Sequence, residues 1–369
     1  MASHTKVAVI GGGVLGISTA AGLAAQGAQV TLITRDRLGE GASGRSLSWL
    51  NSFWTRNPAY HHLRLLGIDR YRTLAARERP DFLRFDGGLT WAAAGDDGHR
   101  EAFEHLQSVG YDARWLAPEE IAGWTPGVDP ASVPADGAVF NPGEGWVDLP
   151  SLIALLAQRF RAAGGEILEN RGDASVEVRG DRVRAVHTDA GRPLEVDAVV
   201  LATGPSVPAA AAAAGVNIPD GTTPALLVRT APIDHPLTAV LNTPRVAVRP
   251  TPSGSFVLDS AWSEAELELG PDGTYQPGAD TVERLLGAAS AVLDGNPALV
   301  VESTGIGLKP IPGDGEPVLG ALPGVDGYHV AFTHSGATLG LIIGELLAAE
   351  VVTGKRSPLL DAFRPERFA

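Results

Sequence analysis

At 369 residues, 44% of them hydrophobic and 20% charged, the chain is long enough for two closely packed domains and too apolar to be disordered. A net charge of −14 argues against a nucleic-acid partner, and the absence of cysteine excludes disulfides, thiolate metal sites and any cofactor tethered through cysteine sulfur. Residues 1–6 lack the layout of a signal peptide and no apolar run approaches the ~20 residues that span a bilayer, so a soluble, cytoplasmic protein with no membrane partner is expected.

The first element is the most informative. Val7-Ala8-Val9-Ile10 reads as a strand running into Gly11, Gly13 and Gly16 at G-x-G-x-x-G spacing, with Val14 and Leu15 opening an Ala/Leu-rich helix that stops at Gly27. Val30-Thr31-Leu32-Ile33 supplies the second strand, so 6–34 forms a β-α-β unit. In such a unit Gly11 permits the tight turn, Gly13 lets a pyrophosphate approach the backbone, and Gly16 lets helix and strand pack closely. The ligand class is a dinucleotide. Thr34-Arg35 at the end of the second strand suits a 2′-phosphate, hence NADP, whereas Thr34 or Asp36 can also accept from an unmodified ribose.

A loop follows, Gly41-Ala42-Ser43-Gly44-Arg45-Ser46, of a kind that wraps phosphate-bearing ligands. Residues 58–78 read as a helix, 88–94 as a strand, 99–109 and 118–122 as helices, and 136–140 as a short strand. Asp148-Leu149-Pro150 is a helix-opening signature for 151–163. Strands at 166–168, 175–178, 183–187 and 194–196, joined by short turns, suggest a small antiparallel ribbon. Residues 199–204 form a buried-type strand ending in the small polar turn Thr203-Gly204, and 209–214 is a short helical run. Strands at 224–232, 239–241, 245–249 and 255–258 make a meander, 280–293 is an amphipathic helix, and 299–308 leads back. A final parallel strand spans 328–332, and a glycine-punctuated helix runs over 336–353.

The last elements thus complete the first ones. The expected fold is α/β, a Rossmann-like dinucleotide domain (1–80, 148–222 and 300–369) into which a mostly antiparallel β-sheet substrate domain of α+β type (81–147 and 223–299) is inserted. Only three lysines occur, Lys6, Lys309 and Lys355, so a lysine in mid-chain stands out. Adjacent His61 and His62 point to different faces of a helix, and no metal site is expected. Trp49, Trp54 and Trp262 are candidates for an apolar pocket wall or for core packing.

Three segments together resemble the flavin-dependent amine and amino-acid oxidoreductases of the D-amino-acid oxidase superfamily, the group of glycine oxidase and sarcosine oxidase. They are the N-terminal unit with Gly41-Ala42-Ser43-Gly44-Arg45, the central Val200-Leu201-Ala202-Thr203-Gly204, and Lys309-Pro310-Ile311-Pro312-Gly313-Asp314-Gly315-Glu316-Pro317-Val318-Leu319-Gly320 with Thr333-His334-Ser335-Gly336. The resemblance implies FAD, held by Gly11, Gly13 and Gly16, lined by Ala42, Ser43, Gly44, Arg45 and Ser46, closed over by Thr203 and Gly204, and met at its pyrimidine edge by Ser335, Gly336, Ala337 and Thr338. A helix N-terminus at Gly336 supplies donors and partial positive charge there.

Two departures matter. The family usually ends the second strand in Glu or Asp, and this chain has Thr34. Glycine-oxidase relatives place a carboxylate-binding arginine where this chain has Lys309, and lysine offers only a point charge. His334, beside the expected ring position, and Arg229 and Arg249, on strands of the substrate sheet, join Lys309 as candidate catalytic or substrate-binding residues. With no cysteine, and Ser48 where some relatives carry a linking histidine, the FAD is expected to be non-covalent.

The implied activity is oxidation of a C–N bond of a small amine or amino acid by hydride transfer to flavin N5. The resulting imine hydrolyses, and O2, giving H2O2, or another acceptor takes the electrons. Rival readings are an NADP-dependent dehydrogenase and a flavin-binding subunit of a larger dehydrogenase. Substrate identity and oligomeric state are left open.

Overall fold

The computed structural model describes residues 5–54, 57–93 and 95–368. Strand Lys6–Ile10, buried from Val7 onward, lies inside a six-stranded sheet. The order across that sheet is Val318–Ala321, Tyr328–Phe332, Ala198–Leu201, Lys6–Ile10, Gln29–Ile33, Glu166–Leu168. All neighbours run parallel except Val318–Ala321, which returns antiparallel along one edge. Both faces are covered, as a parallel sheet requires. Ile17, Leu23, Leu152, Ile343 and Leu347 pack on one face, and Val207, Ala211 and Val186 close the other.

Strand Glu166–Leu168 departs from expectation. It pairs parallel with Gln29–Ile33 and does not join the ribbon, which consists of Ala174–Arg179, Arg182–Thr188 and Leu194–Glu195. The reason is the preceding helix Leu149–Ala162, capped by the Asp148 carboxylate, and the turn at Gly164 (φ +87°), which together form a crossover back to the parallel sheet.

The second sheet has eight strands in the order Val301–Lys309, Thr223–Thr230, Phe256–Asp259, Ala247–Pro250, Val240–Asn242, Gly88–Thr90, Ala138–Asn141, Arg114–Leu116. It is antiparallel except where Val240–Asn242 meets Gly88–Thr90. Helix Thr281–Val292 covers it through Leu285, Ala289 and Val292. Strand Val301–Lys309, grouped by sequence with the dinucleotide region 300–369, pairs along its length with Thr223–Thr230 and so belongs to this second sheet. Ala94, the end of the strand expected over 88–94, lies outside the described residues.

Several elements had no signal in the sequence because they are too short for periodicity. They are the edge strand Val318–Ala321, the hairpin Leu267–Leu269 with Tyr275–Pro277, and a three-stranded sheet of Trp49–Leu50, Gly145–Val147 and Leu83–Arg84. This last sheet links the two larger ones. Leu50, Leu83 and Val147 enter the core of the first region, while Trp146 donates from Nε1 to the Thr238 carbonyl at 2.9 Å.

Helix Gly336–Thr353 is long and apolar enough to cross a membrane, but here it is a core helix held between Val14–Ala25 and Pro58–Glu78. Glycines let the backbones approach: a Cβ at Gly344 would lie 2.6 Å from Ser18, and one at Gly67 would lie 2.2 Å from the Thr338 carbonyl oxygen.

Candidate active site

A cavity of about 890 Å³ runs from the glycine turn, past the N-terminus of Gly336–Thr353, to the second sheet. At its first end Gly11, at φ +122°, occupies a conformation disfavoured for other residues, and a Cβ there would sit 2.2 Å from the Ala202 carbonyl oxygen. A Cβ on Gly16 would meet the Gly11 carbonyl oxygen at 1.9 Å. Gly16 therefore serves helix packing, and Gly11, Gly13, Val14 and Leu15 line the cavity. Ser43 Oγ accepts from the Val14 amide at 3.0 Å and so ties the loop to the start of the helix.

Thr34, Arg35 and Asp36 also line this end. Thr34 is buried, whereas Asp36 is exposed. Arg35 is ion-paired with Asp173, both side chains well exposed. Of the loop, Ala42, Ser43, Arg45 and Ser46 line the cavity; Gly44 faces the smaller neighbouring groove instead. Thr203 and Gly204 border the cavity, and Thr203 Oγ1 is buried with no hydrogen-bond partner among the described residues.

In the middle, helix Gly336–Thr353 begins with no side-chain cap, so the N–H groups of its first turn have no partner within the helix. Ser335, Gly336, Ala337 and Thr338 line the cavity, and so does the exposed His334. Arg64 is a feature that sequence reasoning missed. It is 3% exposed, yet it borders the cavity and reaches the same helix terminus. Its Nε donates to the Asn51 carbonyl at 2.7 Å, its Nη2 to Asn51 Oδ1 at 3.0 Å, and its Nη1 to Ser335 Oγ. Tyr60 shares Ser335 Oγ at 2.6 Å. The signal was available: Tyr60, Arg64, Gly67, Ile68 and Tyr71 fall on the buried stripe of helix Pro58–Glu78, where a charge is out of place.

Behind Trp49 lies Glu144, fully buried, which accepts from Tyr111 OH at 2.6 Å and from the Ser52 amide at 3.3 Å. Burial raises its pKa to about 8, against the opposing hydrogen bonds from Tyr111 and Ser52 and the charge of Arg64.

At the far end the wall comes from the second sheet: Ala225, Leu226, Leu227, Leu308, and the charged Asp259, Glu264 and Lys309. Lys309 Nζ lies 2.5 Å from Glu264 Oε2. Asp259 ends strand Phe256–Asp259; removal from solvent and the negative charge of Glu264 raise its pKa to about 7, while Lys309 and Arg249 pull the other way. Neither Asp259 nor Glu264 was anticipated, since a strand end and a five-residue helix carry no pattern.

Arg229 and Arg249 do not border the cavity. Alternation puts Arg229 on the face of Ala225 and Leu227, half-buried beyond the lining. Arg249 is 2% exposed, donates from Nη1 to the Pro250 carbonyl at 3.0 Å and stacks over Trp146. Burial lowers its pKa to about 10, with Asp148 and Asp259 opposing and Arg229 adding to the fall. Trp49 and Trp54 line the cavity; Trp262 is elsewhere, donating to the Arg245 carbonyl at 2.7 Å. No group of three or more potential metal-ligating side chains is found among the described residues.

The cavity fits FAD. It has a glycine cradle too tight for a side chain, an orphaned Thr203 hydroxyl, an uncapped helix terminus and a buried guanidinium beside it.

Comparison with known proteins agrees. The DAO family, FAD dependent oxidoreductase, matches residues 6–350. The glycine oxidase of Geobacillus kaustophilus (strain HTA426) is 28% identical over 373 residues, covering 97% of this chain and 95% of its own. The bifunctional protein ThiO/ThiG of Synechocystis is 27% identical over 268 residues, and the match spans 70% of this chain but only 38% of that longer protein. Among solved structures, glycine oxidase from Geobacillus kaustophilus superposes with a TM-score of 0.81 over 99% of this chain and 100% of its own, at 24% identity. The chain belongs to the DAO family of FAD-dependent oxidoreductases.

Proposed function

We propose that this enzyme oxidises a C–N bond of a small amine or amino acid and passes the electrons on to O2 or another acceptor. The observation that carries the reading is the continuity of the cavity from the glycine cradle to the apolar wall of the second sheet. FAD, when bound, supplies the hydride acceptor.

The residues of the chain do the rest. Gly11, Gly13 and Ser43 fit the dinucleotide, and the first turn of Gly336–Thr353 with Arg64 presents positive potential beside it. Ala225, Leu227, Leu308 and Trp54 form an apolar wall that holds the substrate carbon in place. Hydride leaves that carbon, the nitrogen lone pair forms the C=N bond, and water then adds to the imine and releases the nitrogen. Glycine oxidase relatives act in the same reaction class by name, which supports the reading. The FAD is proposed to be non-covalent, to be released on denaturation.

The test is anaerobic titration of the yellow protein with a panel of amines and amino acids. Bleaching of the visible spectrum by a member of the panel is the expected result. A spectrum unchanged by every member would overturn the proposal.

A further inference from the structure

The substrate end of the cavity carries an uneven set of charges. Lys309 occupies the place of a carboxylate-binding arginine, but it is already committed: its Nζ lies 2.5 Å from Glu264 Oε2, with the two side chains 30% and 14% exposed. Such a pair leaves little free positive charge for a substrate carboxylate.

None of the other nearby cations forms an ion pair with Asp259 among the described residues. Arg249 donates to the Pro250 carbonyl and faces Asp148 at 3.8 Å. Arg64 is bound to Asn51 and Ser335. Arg229, on the strand paired with Phe256–Asp259, forms no ion pair or hydrogen bond with Asp259 among the described residues.

Asp259 is the remainder. It borders the cavity, and no side-chain or backbone donor among the described residues hydrogen-bonds its carboxylate. The groups that bear on its charge are Glu264, Lys309 and Arg249. Lys309 is paired with Glu264 and Arg249 faces Asp148, so Asp259 presents a carboxylate with no ion-pair or hydrogen-bond partner among the described residues beside the apolar wall of Ala225, Leu227 and Leu308. A carboxylate in that setting is complementary to a cation and repels an anion.

From this we propose that Asp259 is a specificity residue that binds a second, positively charged nitrogen of the substrate, so that the enzyme takes diamines or longer polyamines in preference to amino acids. The inference rests on the C–N oxidation reading. The two nitrogens have different tasks. The reacting one must be neutral to release hydride from its neighbouring carbon, and the distal one keeps its proton and lies against Asp259. The apolar wall between suits a methylene spacer.

The test uses the FAD-loaded enzyme and three compounds of equal length, 1,4-diaminobutane, butylamine and 4-aminobutanoate. Binding is read from the perturbation of the visible spectrum and oxidation from anaerobic bleaching. The diamine is expected to bind at least tenfold tighter than butylamine, and the amino acid weakest. Asp259→Asn is expected to reduce the diamine-to-butylamine affinity ratio at least tenfold. Asp259→Glu, which keeps the charge but advances it by one methylene, is expected to retain the preference for diamine over monoamine and, with 1,3-diaminopropane added to the set, to shift it to that shorter diamine. Flavin content and thermal midpoint establish that each variant is folded.

Equal binding of diamine and monoamine, or tighter binding of the amino acid, overturns the proposal, as does an Asp259→Asn variant with an unchanged ratio. Charge-dependent diamine binding through Asp259 without bleaching would uphold the cation site and overturn the oxidation reading alone.

Discussion

Arg64 and Asn51 are locked together twice: the guanidinium donates from Nε to the Asn51 backbone carbonyl at 2.7 Å and from Nη2 to the Asn51 side-chain oxygen at 3.0 Å. This fork holds a buried charge against the uncapped start of Gly336–Thr353. No carboxylate hydrogen-bonds it among the described residues. Positive potential of this kind favours the more negative, reduced form of a bound flavin. Arg64→Met is expected to weaken FAD binding at least tenfold and to lower the flavin reduction potential by about 30 mV or more, since 30 mV is ~1.4 kcal/mol for a two-electron couple. Fluorescence titration of apoprotein and spectroelectrochemistry measure the two effects; unchanged values in both would remove Arg64 from the flavin site.

Lys309 lines the cavity paired with Glu264 and bears on Asp259, so its loss removes positive charge from beside both carboxylates. Lys309→Met is expected to lower turnover or slow flavin reoxidation at least tenfold. Stopped-flow measurement separates the two half-reactions, and wild-type rates in both would end its role in the chemistry.

Glu144 gives the fold a pH dependence. Its pKa in the folded chain, about 8, lies above its ordinary 4.5. The folded state therefore holds the proton more tightly than the unfolded one. The resulting stabilisation is complete below pH 4.5 and is lost as pH rises toward 8, by about 1.4 kcal/mol per pH unit. Glu144→Gln, which mimics the protonated group, is expected to flatten that slope. Urea midpoints of both proteins at pH 5 and pH 8 decide it: wild type should fall more than the variant.

Gly16 tolerates no side chain. An alanine Cβ would sit 1.9 Å from the Gly11 carbonyl oxygen, so helix Val14–Ala25 must move away from the turn that it supports. Gly16→Ala is expected to cost about 1–3 kcal/mol of stability and to lower FAD affinity at least tenfold. Gly27→Ala is the comparison for backbone strain without a clash, because Gly27 has φ +86° and a Cβ there would meet no atom within 4 Å; it is expected to lose stability while keeping FAD affinity. Wild-type stability and FAD affinity in Gly16→Ala would show that close packing at Gly16 is not required.

What the sequence disclosed follows from which signals are local. The dinucleotide unit was legible because Gly11, Gly13 and Gly16 act within one turn, and the Gly336–Thr353 helix because its composition and length set its bounds. Strand pairing is not local. Glu166–Leu168 looked like part of a ribbon and Val301–Lys309 like part of the first region, and only their partners across the chain decided otherwise.

The site divides in the same way. Lys309, His334 and Ser335 were found through motif position, and all three line the cavity. Arg64 reaches it from a helix whose pattern records burial, not which buried face meets a ligand, and Asp259 and Glu264 from a strand end and a five-residue helix too short to carry a pattern. Arg249, a plausible clamp on a strand, is instead held by Pro250, Trp146 and Asp148.

The pairing of Lys6–Ile10 with Ala198–Leu201, and of that strand with Tyr328–Phe332, has a consequence for biosynthesis. The glycine turn emerges from the ribosome long before the helix terminus at Gly336 that faces it. At ~5–20 residues per second the interval between Ile10 and Gly336 is roughly 15–65 s. For the last part of that time, roughly 6–25 s between Leu201 and Tyr328, the apolar strand Ala198–Leu201 has one neighbour and an open edge, and no flavin pocket exists. Cofactor loading therefore waits until Tyr328–Phe332 and the start of Gly336–Thr353 have been made, and until then the open edge of Ala198–Leu201 is a site for unwanted pairing.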